Sequence, residues 1–271
     1  MDPTPHTSPR LGSQDAVVLV ATPGRRREAV GSPRPVMSPP MYVGDFVQAA
    51  AATRPCRAIG GDFFDYLDTG LEFHVLLGDA WGSGTPAALQ AALIQGILAG
   101  DVERGTGAAR LVSQLNQALC RRRMGDRYVT LFYAVITRDR RFTYCNAGHY
   151  PPMLFRDSKV RRLGAGGLPP GLVDDARYEE ESLFVEPGDT LVVFSDGLAR
   201  ASNGTGKFGV ARIQQIVSAH RGRTPATIVE RLMGSVREFT DGSRQRDDIT
   251  AFVARYSGEA RRDHGYHPAP A

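Results

Sequence analysis

A chain of 271 residues, 42% hydrophobic and 23% charged, is long enough for one large soluble domain with loose ends. No apolar run reaches the roughly 18 residues of a membrane span, and the N-terminus lacks the basic-then-apolar order of a secretion signal, so the expected setting is the cytoplasm, away from membranes. The net charge of +4 is half carried by residues 1–41, with five arginines against three acids, and the remainder is spread too thinly to predict a nucleic-acid partner.

Residues 1–40 contain eight prolines and no sustained periodicity, which predicts a disordered arm over residues 1–41. A folded domain is expected from 42 to 256. Its first strands are predicted at 46–53, 63–67 and 73–77, short segments bounded by turn residues. Two helices follow. The first, 87–99, begins after Thr85-Pro86 and is apolar on nearly every side, which predicts burial between layers. The second, 108–122, has a stripe of Leu111, Val112, Leu115 and Leu119. It ends in Arg121-Arg122-Arg123, where cations complement the helix dipole. Strands are then expected at 129–137, 141–145, 153–155, 159–163, 178–185 and 190–194. Helices are expected at 210–220 and from Thr224-Pro225 onward, and a final strand at 249–255. The tail, 257–271, is polar and loose. Three cysteines, Cys56, Cys120 and Cys145, are too scattered for a disulfide framework and are read as reduced thiols. This order is not a simple βαβ alternation. It predicts an α+β layered architecture of antiparallel sheets covered by helices.

Acidic residues recur at predicted strand ends beside glycine or another acid: Gly60-Gly61-Asp62, Gly78-Asp79-Ala80, Ser195-Asp196-Gly197 and Asp247-Asp248. Any one Asp-Gly pair is an ordinary turn signal. Should the four converge, two carboxylates ~4 Å apart repel by about 4 kcal/mol at an effective dielectric near 20, so the group needs a counter-cation. Oxygen ligands without clustered Cys or His favour Mg²⁺ or Mn²⁺ over Zn²⁺. Two such ions can share a bridging water and set it against a phosphoryl group, which describes a hydrolase.

On segments 57–66, 76–89, 128–137, 142–154, 187–203, 208–209 and 247–255 the sequence resembles the PPM family of metal-dependent protein serine/threonine phosphatases. The resemblance is to its bacterial branch, typified by the sporulation phosphatase SpoIIE and the stress-response phosphatase RsbU. It rests on the GGD, NAGHxPP, SDG and DDIT elements together and implies a four-layer α-β-β-α sandwich. It also implies that Asp79 bridges two Mn²⁺ or Mg²⁺ ions with help from the Ala80 carbonyl. Asp62 would then hold the second ion, and Asp196 and Asp247 the first. Asp79 and Asp62 would thus be the catalytic pair. Asp248 and Gly197 would support the site from behind. The implied substrate is a phosphoserine or phosphothreonine on a regulatory protein of the anti-anti-sigma type.

The sequence also departs from the family. Trp81 stands where eukaryotic members have a histidine and bacterial ones a small residue; it either lines the substrate entrance or packs. Ser83 replaces a more frequent Lys, His or Asn. His149, after a Gly turn and before two prolines, reads as a hydrogen-bonded anchor rather than an acid catalyst. Arg54 and Arg57 either touch the substrate phosphate or are solvated. With a Pro-rich arm where relatives carry sensor domains, regulation is expected to need a separate sensor or a homodimer through the 87–122 helices. A weakly active pseudophosphatase that binds a phosphoprotein is the alternative that Trp81 leaves open.

Overall fold

The computed structural model describes residues 41–82, 84–102, 106–121 and 128–258. Residues 1–40, 83, 122–123 and 259–271, on which the expectations about the arm, Ser83, the arginine run and most of the tail fall, lie outside the described residues. The chain opens with Met41–Val43 (β1) and Val47–Arg54 (β2), an antiparallel pair. Asp62–Asp68 (β3) and Glu72–Ala80 (β4) form the next pair, followed by helices Thr85–Val102 (α1) and Ala108–Arg121 (α2). The strand-rich centre comprises Val129–Thr137 (β5), Arg141–Ala147 (β6), Met153–Arg156 (β7), Lys159–Arg162 (β8), Gly166–Gly167 (β9), Glu181–Phe184 (β10) and Thr190–Phe194 (β11). The helices Asp196–Arg200 (α3), Gly209–His220 (α4) and Pro225–Phe239 (α5) come next, and Ile249–Tyr256 (β12) ends the series.

One sheet has the order β1-β2-β12-β11-β7-β8 and the other β10-β6-β5-β4-β3, with β9 added beside β6 as a parallel pair. All other pairings are antiparallel. Period-2 alternation explains how each sheet is covered on both faces. In β11, Leu191 and Val193 face the space between the sheets, whereas Val192 and Phe194 pack on α3–α5. In β5, Phe132, Ala134 and Ile136 face the other sheet, and Val129, Leu131 and Tyr133 pack on α1 and α2. The result is the four-layer α-β-β-α arrangement. The start of α5 follows sequence chemistry directly: Thr224 Oγ1 accepts from Thr227 N at 3.3 Å, and Pro225 occupies the first turn.

The expectation that α1 is buried between layers is corrected. Ala87, Gln90, Ala91, Ile94 and Leu98 are buried at helical spacing against the β3–β4 sheet and α2, but Leu89 is 66% exposed, and Ala92 and Gly96 are also exposed. The helix belongs to an outer layer and carries a second apolar stripe to the surface. Composition alone could not separate its two faces, because both are apolar. The predicted strand at 178–185 is shorter than expected, since the Glu179 amide donates to the Gly166 carbonyl at 3.1 Å instead of joining the ladder.

Candidate metal centre

Asp62 and Asp79 are directly opposite each other, because the β3–β4 ladder runs one residue past the expected start of β3 and two past the expected end of β4. Like charges facing across an antiparallel pair destabilise it, so this placement calls for compensation. Gly61 leaves room beside it. A Cβ there would stand 2.6 Å from the Ala80 carbonyl oxygen and 3.4 Å from Asp79 Oδ1. Two of the implied ligands thus border a space that a larger residue would fill.

Asp196 and Asp247 come from the other sheet. β11 and β12 are antiparallel neighbours, which sets the residues just after β11 beside those just before β12. Ser195 N donates to the Thr250 carbonyl at 3.0 Å, and Thr250 N donates to Ser195 Oγ at 3.0 Å. Gly197 lies so close to the second strand that a Cβ would be 1.9 Å from the Asp248 carbonyl oxygen. Glycine is required there by backbone proximity.

The two halves are tied by two side chains. Thr250 Oγ1 donates to Asp62 Oδ2 at 2.6 Å. Its proton is thereby committed, so the 2.8 Å pairing with Thr53 Oγ1 has Thr53 as donor. The Asp248 carboxylate accepts from Cys56 N at 2.6 Å, Gly61 N at 2.7 Å and Asp62 N at 3.3 Å. A carboxylate that accepts three backbone amides fixes the loop before β3, and Asp248 performs that task while Asp247 stays exposed beside it.

The electrostatics record the convergence. Burial, then the charges of Asp62, Asp247, Asp196 and Asp248, push the Asp79 carboxyl up to about 8. Burial pushes Asp62 up to about 7, against the hydrogen bonds from Thr250 and Ser195 and with the added repulsion of Asp248 and Asp247. Asp247 is raised by burial and by Asp196 and Asp248, and eased by Arg200. Arg200 itself pairs with Asp196 at 2.8 Å. Among the described residues no three carboxylates, imidazoles or thiols stand close enough to grip an ion as placed. The donor set still fits a hard divalent cation: oxygen only, excess negative charge, and a glycine-lined space at its middle.

His149 is buried beside β5 and β11. Its Nδ1 lies 3.1 Å from Thr130 Oγ1, its amide donates to Asn146 Oδ1 at 2.9 Å, and burial pushes its pKa down to about 4 despite the nearby Phe194 carbonyl. A neutral, enclosed imidazole suits an anchor between the sheets. Trp81, next to Ala80, is 51% exposed, with its ring tilted against Tyr128 at 6.1 Å between centroids. It stands at the edge of the site rather than in the core. Arg54 and Arg57 line the groove that opens at Asp247. The sequence reading assigned no role to Thr53, Ser195 or Thr250. Their hydrogen bonds join residues 55 to 197 positions apart, and the cues in sequence were the hydroxyl residues inside the Ser195–Gly197 and Asp247–Thr250 motifs.

The comparisons with known proteins bear on the family and the fold. The family described as Stage II sporulation protein E (SpoIIE) matches residues 70–257, a span that contains Asp79, Asp196 and Asp247 and stops short of Asp62. Phosphoserine phosphatase RsbU of Bacillus subtilis is 26% identical over 208 residues, which cover 76% of this chain and 62% of RsbU. The chain therefore spans less than two thirds of that relative. The SiaA-PP2C domain of Pseudomonas aeruginosa has a TM-score of 0.69 at 21% identity, over 77% of this chain and 85% of that one. The catalytic domain of the serine/threonine protein phosphatase PstP, solved in complex with two manganese ions, has a TM-score of 0.60 at 16% identity, over 78% and 98%. Fold and family are thereby settled together: the layers are those of a PP2C domain, and the chain belongs to the SpoIIE family.

Proposed function

We propose that this chain is a metal-dependent protein serine/threonine phosphatase of the cytoplasm that hydrolyses a phosphoserine or phosphothreonine on a regulatory protein of the anti-anti-sigma type. The observation that carries the reading is the Asp62–Asp79 pair, set opposite each other and both pushed toward or above neutrality by burial and shared charge. In this reading Asp79 would serve both ions, the Ala80 carbonyl would be a backbone ligand, Asp62 would hold the second ion, and Asp196 and Asp247 the first. Two bound Mn²⁺ or Mg²⁺ ions would supply an activated water at neutral pH and a positive field for the phosphoryl oxygens. The residues do the rest. Thr250 orients Asp62, Asp248 fixes the loop that presents it, and Gly61 keeps the approach to the Ala80 carbonyl open. Ping-pong chemistry is not needed, because no side chain acts as the nucleophile.

Hydrolysis of a phosphoserine peptide with and without Mn²⁺ tests the assignment. Turnover is expected with the metal and its loss in EDTA; a parent protein inert in both would leave the second reading, a phosphoprotein-binding module. That reading is favoured by one observation, the exposed indole of Trp81 beside Ala80.

The surface stripe of α1 supports a second copy of this chain as a regulatory partner. Leu89, Ala92 and Gly96 recur at one face and present apolar surface to water. Sedimentation should show a dimer that Leu89→Glu converts to monomer; a parent monomeric at high concentration contradicts the interface and leaves a separate sensor as the regulator.

A further inference from the structure

A groove of about 680 Å³ opens at Asp247, within the size range of specific binding sites. Five of its lining residues are arginines, Arg54, Arg57, Arg200, Arg244 and Arg246, and Asp247 is its one carboxylate. Among the described residues Arg200 pairs with Asp196 at 2.8 Å, and no carboxylate pairs with the other four. Arg54 is the partly buried one of the five, and its pKa is lowered by that burial and by Arg237, which lies outside the lining. Several cations lining one groove with a single carboxylate give it a positive field, which attracts an anion.

The groove is also held in shape. Gln245 accepts from Arg54 Nε at 2.7 Å through Oε1, and its amide donates to the Arg54 carbonyl at 2.8 Å and the Asp247 carbonyl at 2.7 Å. Cys56 Sγ donates to the Gln245 carbonyl at 3.3 Å. One side chain therefore ties the end of β2, the arginine loop and the acid cluster together. The backbone that carries the arginines is therefore ordered before anything binds.

We propose that this groove selects the phosphoprotein by holding aspartate and glutamate side chains that flank its phosphorylated residue. The inference rests on the phosphatase reading for the position of that residue: a chain whose phosphate reaches the acid cluster passes its neighbouring residues along the groove that begins at Asp247. A protein segment is favoured over a nucleic acid because no aromatic side chain lines the groove, and single strands are held largely by bases stacked on such rings.

Fluorescence anisotropy of labelled phosphoserine peptides, flanked by acidic, amide or lysine residues and titrated with the full chain in EDTA, which withholds the metals that turnover requires, tests the proposal. The acidic peptide should bind the parent about tenfold more tightly than the amide peptide, as expected of a few solvent-facing ion pairs acting together. The double variant Arg244→Glu/Arg246→Glu should lose that preference and gain affinity for the lysine peptide, a gain that misfolding cannot produce. Equal binding of acidic and amide peptides by the parent overturns the proposal. So does a preference that survives the double variant, or an oligonucleotide that competes better than the acidic peptide. Turnover of the same peptides in Mn²⁺ reads the phosphatase assignment separately: no hydrolysis with the preference intact removes the enzyme and keeps the groove.

Discussion

Asp79→Asn is expected to lower kcat/KM for a phosphoserine peptide by at least about a thousandfold, in line with the loss of a charge that organises transition-state stabilisation, while raising the melting temperature of the metal-free protein at pH 8. The two effects have opposite signs for one reason. Asparagine keeps the size of the side chain and removes the charge that Asp62, Asp247, Asp196 and Asp248 all oppose. Without a cation that charge is a liability to the fold; with one it is the centre of the ligand set. Steady-state kinetics in Mn²⁺ and a thermal melt in EDTA read the pair of effects. A variant that loses activity and also melts lower would mean that Asp79 is a structural residue, held by contacts the amide cannot replace.

The pH dependence of stability gives the second large effect. Asp62 and Asp79 have folded pKa values of about 7 and about 8, above the ordinary carboxylate value of 3.8. Between these limits the native protein binds more protons than the unfolded chain, so its stability is fully present below the unfolded pKa and is lost as pH rises through the folded one. In EDTA the melting temperature should therefore fall between pH 5 and pH 8, by roughly 4–8 °C if the site contributes on the order of 2 kcal/mol. Mn²⁺ should restore most of the loss at pH 8 and release protons as it binds. In Asp79→Asn the slope should flatten and the rescue should shrink. A metal-free melting temperature that stays flat over the same range would show that these carboxyls ionise freely in the native state, and one that rises would show that the fold favours their charged forms.

Much of the fold is legible in the residues, and the exceptions have physical causes. The strand Val129–Thr137 and the strand Thr190–Phe194 coincide with their expected spans, because their apolar residues fill both sheet faces and their ends carry turn residues. The helix from Thr224-Pro225 announces its own cap. The helix Asp196–Arg200 has five residues, too few to display a period. The pair Gly166–Gly167 forms a strand only because a glycine can approach Asn146 where a Cβ would be 1.9 Å from its carbonyl oxygen. Nothing local announces that approach. The helix Thr85–Val102 reads correctly as a helix but not as an outer one, since its exposed and buried faces have the same composition.

At the site, the acidic motifs are visible as sequence, and their geometry is not. The Asp62–Asp79 register depends on strand pairing that runs beyond the apolar residues. The Thr250 hydroxyl connects the two sheets through Asp62, those of Thr53 and Ser195 link neighbouring strands of one sheet, and the Gln245 staple connects β2 to the loop before β12. Such links depend on which strands become neighbours in space. A reading of local pattern has no access to them. The Asp248 side chain illustrates the difference within a single dipeptide: two adjacent carboxylates look equivalent in sequence, yet one is committed to three backbone amides and the other is left facing the cluster.

Anomalous diffraction from crystals soaked in Mn²⁺ tests the metal assignment most directly. Two peaks are predicted in the space bordered by Asp62, Asp79, the Ala80 carbonyl, Asp196 and Asp247. Manganese bound elsewhere, or no peak at these carboxylates under conditions where the protein is folded, would contradict it.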